Sequence, residues 1–248
     1  MLRVVNKADA TDIYITGDIV DDADGAFLSS WDMADGYQWP AEIRAQLDEA
    51  KGKPLTIYIN SDGGSVPAGV AMANMIARHD APTRAVVDGW CCSIATQIFF
   101  AATSRAMPSN AYLMIHKPAT VAAGNSDDML QAAEFLDVIQ QGLESTYQKA
   151  AKPDLDAKKI HSMVEHETWL TGTEAAALFD IELLGAVPVL NCYAGKAGAR
   201  TIDELPKGIV LKADADTRPV FDCVEADKLN EAARIKAALA IAKGVLCK

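Results

Sequence analysis

The chain has 248 residues and a formal net charge of −11, with 50% hydrophobic and 23% charged residues. That length holds one large domain, or one domain with an appendage, and the composition suits a soluble globule with an ample core. The acidic balance excludes a nucleic-acid binder, because phosphate recognition needs a basic footprint. The opening stretch, Met1 to Lys7, has no apolar run of the kind a signal peptide carries, and no segment approaches the roughly 18 apolar residues of a membrane span. Cys91, Cys92, Cys192, Cys223 and Cys247 show no Cys-x-x-Cys spacing, so no metal site is expected and a reducing cytoplasm suits them.

In chain order, Asp12 to Gly17 predicts a short strand ending in a turn. The acidic stretch from Asp18 to Asp24 contains Asp22-Ala23-Asp24-Gly25, but a calcium loop in that register would start at Val20 and end at Trp31. The ligand pattern fails, and the stretch reads as a solvated loop. Pro40, followed by Ile43, Leu47 and Ala50, predicts an amphipathic helix. Leu55 to Ile59 predicts a buried strand, Val66 to Arg78 a helix, and Arg84 to Asp88 the next strand. This alternation argues for an α/β fold with mainly parallel pairing. Gly124 to Asp128 opens a long helix running to about Lys149, with Asn125 or Ser126 as N-cap. Pro153 breaks it. Leu155 to Val164 predicts another helix, and a last one passes through Glu174-Ala175-Ala176.

Three motifs carry chemistry. Asp88-Gly89-Trp90-Cys91-Cys92-Ser93 is a small-residue turn that delivers a serine into the apolar run Ile98 to Ala102. A serine there stands at the start of a buried helix, where amide N–H groups and the helix dipole favour a developing oxyanion. His116 lies between the apolar run Tyr112 to Ile115 and a Lys-Pro turn, as a general base on a loop would. Gly63 and Gly64 follow a strand and allow a backbone path closed to side chains, either as an ordinary turn or for close approach to substrate. Together they make a serine hydrolase the leading reading.

The run Leu55 to Val66, with Ala68-Gly69, Ser93 and Met114-Ile115-His116, resembles the Clp-type serine peptidases, and within them the Clp-related head-maturation proteases of tailed phages. The resemblance covers roughly residues 13 to 187. It implies a crotonase-like α/β spiral of βαβ units, a long protruding handle helix through which rings meet, and homo-oligomeric rings enclosing the active sites. It also implies a serine endopeptidase needing no cofactor, acting on protein or peptide substrates that include capsid or scaffold proteins. Its place would be the bacterial cytoplasm or a procapsid. Ser93 and His116 then pair as nucleophile and base, and the Gly64 and Ile94 amides form the oxyanion hole.

For the acid, the family pattern places an aspartate four residues before a Ser or Thr that precedes a Glu-Ala helix. Counting back from Thr171 gives Glu167, one methylene longer, with Glu165 as the alternative. Asp62 stands where the family usually has proline, and Cys91 and Cys92 replace small alanines; both thiols read as packing. His161 and His166 read as surface residues.

The peptidase domain is expected over residues 1–188. Residues 189–248 are expected to form a Gly-rich linker and an Ala-rich amphipathic helix with Leu229, Ala232, Ile235, Leu239, Ala242 and Leu246 on one face. Three alternatives stay open: a Clp-type subunit working with an ATPase, a crotonase-fold acyl-CoA enzyme using the same two amides without a Ser–His pair, and an inactive ring scaffold.

Overall fold

Strict alternation of buried and half-buried residues along three long neighbouring strands sets the centre of the molecule, because side chains on a strand point to opposite faces in turn. The computed structural model describes residues 5–6, 9–50 and 52–185. The elements run in the order β1 (Val5–Asn6), β2 (Thr11–Ile19), α1 (Asp22–Ser30), β3 (Tyr37–Gln38), α2 (Pro40–Ala50), β4 (Leu55–Gly64), α3 (Val66–Ala77), β5 (Thr83–Cys92), α4 (Ala95–Ala101), β6 (Ser104–Pro108), β7 (Tyr112–Ile115), α5 (Ser126–Ala150), α6 (Ala157–Glu165), β8 (Thr168–Thr171), α7 (Gly172–Leu178) and β9 (Glu182–Leu184).

The main sheet has the order β1-β2-β4-β5-β6-β9, and every neighbour from β2 to β9 is parallel, as strand–helix–strand crossovers require. Ile13, Ile15, Ile57, Ile59, Ala85 and Val87 point to one buried face and share a core with Ile43, Met72, Ile76, Ile98 and Phe99 from the helices. On the opposite face Tyr14 and Tyr58 are only half-buried, their rings stacked at 4.9 Å.

The feature that matters for function is the fork at β5. Its first half pairs with β6 through Arg84, Ala85 and Val86; its second half pairs in parallel with β7, Trp90 to Tyr112 and Cys92 to Met114. β7 in turn pairs antiparallel with β8. The carboxyl ends of β4, β5 and β7 therefore converge, and ligand sites of open α/β sheets lie beyond strand carboxyl ends.

Most predicted elements occur within one to three residues of their expected bounds. The acidic stretch is a correction: Asp21 accepts from the amides of Ala23 and Asp24 and caps α1, so Asp22 and Asp24 sit in the first turn of a helix. Periodicity gave no sign of this, because α1 is exposed on most of its surface and presents little apolar stripe. The first strand extends on to Ile19, and β4 carries straight through the diglycine to Gly64. The long helix starts at Ser126, with Asn125 and Asp128 closing a capping box. The linker and terminal helix expected over 189–248 lie outside the described residues.

Candidate active site

Ser93 is the first residue past β5, and its φ is +54°, a left-handed conformation rare for a residue with a side chain. Such a conformation costs on the order of 1–3 kcal/mol and persists only where its surroundings hold it. Here the surroundings are explicit. The Ser93 amide donates to Met114 O at 2.9 Å, and Ser93 O accepts from Thr96 N at 3.1 Å and Thr96 Oγ1 at 2.6 Å. Thr96 Oγ1 lies 2.7 Å from the Tyr147 hydroxyl. Since the threonine proton is spent on Ser93 O, the phenol is the donor. Burial pushes the Tyr147 pKa up to about 12, so the phenol stays protonated and able to donate.

Two glycines let other elements close on this turn. A methyl group at Gly63 would lie 2.7 Å from Ser93 Cβ and 2.8 Å from Cys92 O, and one at Gly69 would lie 2.3 Å from the Ile94 side chain. Gly63 also has φ +100°. Gly63→Ala is therefore expected to shift the Ser93 turn and lower turnover by ~10²-fold, the scale of a 1 Å misplacement, with a smaller loss of thermal stability. Paired peptide-cleavage and melting curves check this.

His116 follows β7 directly. Because β5 and β7 run parallel with Cys92 beside Met114, Ser93 falls opposite Ile115 and His116 reaches over it. Nε2 of His116 is 2.7 Å from Ser93 Oγ, a hydrogen bond in which a neutral imidazole accepts the serine proton. Both residues are half-buried, so they are ordered yet open to a ligand.

Glu167 immediately precedes β8. The antiparallel register pairs Ile115 with Thr168, so His116, which follows Ile115, and Glu167, which precedes Thr168, each lie one residue from that pair. Glu167 has φ +44°, and its Oε1 accepts from Trp169 Nε1 at 3.1 Å; Trp169 packs edge-on against Trp90 at 5.1 Å. Glu165 has other partners. Its Oε1 is 2.9 Å from Lys117 Nζ and accepts from Gln140 Nε2 at 3.0 Å, and these two contacts, Lys117 first, hold its carboxyl below the usual glutamate range.

Gly64 is exposed, with φ +142°, and a side chain there would strike Ile19 O, which accepts from Ser65 N at 2.7 Å. Ile94 is buried, and its amide nitrogen lies 3.2 Å from where a Gly63 methyl would be, so it faces the glycine strand end. Cys91 and Cys92 are buried and free; burial pushes the Cys91 thiol well above its ordinary pKa, which keeps it protonated and inert. His161 and His166 are exposed, His161 against Glu144 at 2.9 Å.

Thr96 and Tyr147 were missed from the sequence. Thr96 carried a weak local signal, a hydroxyl three residues past the serine, whereas Tyr147 comes from a distant helix and carried none. Among the described residues no group of three or more metal-ligating side chains is gathered, and no helix is long and apolar enough to cross a membrane.

A mainly parallel sheet, with a serine on a strained strand-to-helix turn and a histidine from the adjacent strand end, defines a crotonase-like α/β protein with a serine–histidine site. The chain belongs to the Clp protease family, whose model matches residues 35–178. It is 33% identical over 129 residues to the ATP-dependent Clp protease proteolytic subunits of Streptococcus pyogenes serotype M5 (strain Manfredo) and serotype M49 (strain NZ131). Each match takes in 50% of this chain and spans 65% of the length of those curated relatives. A ClpP1 mutant from Listeria monocytogenes shares the fold, with TM-score 0.57 and 22% identity over 70% of this chain and 91% of that one.

Proposed function

We propose that this chain is a serine endopeptidase working through an acyl-enzyme. His116 Nε2 takes the proton of Ser93 Oγ as the oxygen attacks the scissile carbonyl carbon. The amides of Gly64 and Ile94 donate to the resulting oxyanion. The C–N bond breaks as His116 returns its proton to the leaving amine. Water then attacks the acyl ester, giving its proton to His116, and Ser93 is released when that proton passes back to its oxygen. Glu167 accepts the Nδ1–H of His116, holding the tautomer that leaves Nε2 free to accept.

The observation that carries this reading is the 2.7 Å contact between Ser93 Oγ and His116 Nε2 on a turn held at positive φ. An acyl-CoA enzyme or an inert scaffold has no use for that pair. A fluorophosphonate probe tests it: labelling confined to Ser93 and lost in Ser93→Ala supports a nucleophilic serine, whereas CoA thioester binding without labelling refutes it.

The finer reading is a phage head-maturation protease acting on capsid or scaffold proteins, in the host cytoplasm or the procapsid. It rests on the motif resemblance that runs from the Leu55 strand to His116. The relatives' designation as ATP-dependent proteolytic subunits favours a second reading, a subunit that works with an ATPase. Cleavage of purified capsid or scaffold protein without nucleotide supports the first; cleavage only with an added ATPase and ATP supports the second.

Homo-oligomeric rings are part of the same proposal. A parallel sheet is ordinarily covered on both faces, yet the Tyr14–Tyr58 face is half-open. Leu130, Phe135 and Val138 stand 64%, 63% and 64% exposed on α5, which suits a handle role. Light scattering is expected to show particles several times the 26.5 kDa chain, with assembly strengthened by salt because screening relieves repulsion among −11 subunits. A strict monomer at micromolar concentration overturns this.

A further inference from the structure

Between His116 and α5 the chain runs through residues 117–125 without regular structure. On its N-terminal side His116 is pinned by β7, which is hydrogen-bonded on both edges to β5 and β8. On its C-terminal side the first anchor is Lys117, whose ammonium lies 2.9 Å from Glu165 Oε1. Glu165 ends α6, where a carboxylate meets the negative end of the helix dipole and is disfavoured without a cation or donor.

The donors come from α5 and α6. Gln140, buried on α5, gives its Nε2 protons to Glu144 Oε1 at 2.8 Å and Glu165 Oε1 at 3.0 Å. His161 of α6 has Nδ1 2.9 Å from Glu144 Oε1 and Nε2 3.9 Å from Glu165 Oε1. Two carboxylates are thus gathered on one buried amide and one imidazole, and Lys117 supplies the neighbouring full positive charge. This network has no role in the chemistry of Ser93, but it ends one residue from His116 and two from Glu167.

We propose that Lys117 and Glu165 are positioning residues: their ion pair, seated on Gln140 and Glu144 of α5, fixes the backbone on the far side of His116 and so sets the imidazole against Ser93. The inference rests on the peptidase reading and adds to it a defined support for the base. A lysine half in solvent and a glutamate at a helix end would contribute little to stability as a surface pair. Their expected contribution is geometric. A displacement of order 1 Å in a reacting group costs up to ~10²-fold in turnover.

The experiment compares Lys117→Met, Glu165→Gln, Lys117→Arg and the swap Lys117→Glu/Glu165→Lys with the unaltered chain and with Ser93→Ala, using a fluorogenic peptide and thermal melting. Lys117 is exposed on a loop, so Lys117→Met leaves the core untouched. The two charge-removing variants are expected to lower kcat by roughly 10- to 100-fold, with KM within about twofold and an unchanged melting midpoint. Lys117→Arg should keep most of the activity, and the swap should regain part of what Glu165→Gln loses. The clamp is overturned if both charge-removing variants keep full kcat, if the loss falls on KM, or if Lys117→Arg is as damaged as Lys117→Met. If Ser93→Ala itself keeps cleaving, the peptidase reading fails, and the clamp with it. A chain that is active, Ser93-dependent and indifferent to Lys117 refutes the clamp alone.

Discussion

Replacing Ser93 with alanine is expected to lower peptide-bond cleavage by ~10⁶-fold, and replacing His116 by a similar factor. A serine hydroxyl is a poor nucleophile until a base takes its proton, so each residue is useless without the other. The double variant should be no worse than either single one, because a unit that has lost one member has little more to lose. Both side chains are half-buried at the end of strands whose core residues lie elsewhere, so folding should survive. Circular dichroism and melting report this independently of activity. Normal cleavage by Ser93→Ala would falsify the mechanism.

Glu167→Gln is expected to lower turnover by ~10⁴-fold, the scale seen when the carboxylate that orients a catalytic imidazole becomes an amide. An amide can present its N–H₂ to the imidazole and favour the wrong tautomer. Glu167 and His116 each adjoin the Ile115–Thr168 pair of β7 and β8, and Oε1 of Glu167 is steadied by the Trp169 indole. Glu167→Asp should fall between the two: the carboxylate remains, but the arm is shorter and the positive φ of the backbone limits how far it can adjust. Glu165→Gln should cost much less and respond to a change at Lys117, whereas no change at Lys117 should rescue Glu167→Gln. A Glu165→Gln loss larger than that of Glu167→Gln would assign the orienting acid to Glu165 and move the register by two residues.

The two glutamates show where legibility stopped. Both lie in one short segment, and spacing from Thr171 alone could rank them but not exclude either. What separates them is not in that segment. Glu165 is engaged by Lys117 from the His116 loop and by Gln140 from α5, while Glu167 stands next to the Ile115–Thr168 strand pair and accepts from the Trp169 indole. Each partner is remote in sequence, and side-chain hydrogen bonds of that kind leave no periodic trace in a single chain. The acidic run from Asp18 failed for a different reason. Its charge pattern is that of a solvated surface whether the backbone is loop or helix, and only the Asp21 cap distinguishes them.

The α/β alternation and the long capped helix were legible in the sequence, which also pointed to Ser93, His116 and the diglycine as the candidate site. Hydrophobic period, capping residues and small-residue turns are local properties, written within a few neighbouring positions. Only the tertiary structure decided how those residues meet. The fork of β5 onto β7 brings Ser93 Oγ to 2.7 Å from His116 Nε2, and Gly63 is obligatory because the Ser93 turn leaves no room for a methyl. The hydroxyl chain from Tyr147 through Thr96 to Ser93 O likewise joins residues from separate helices. These are contacts between segments far apart along the chain, and they exist only once burial of the shared core has fixed the strands in register.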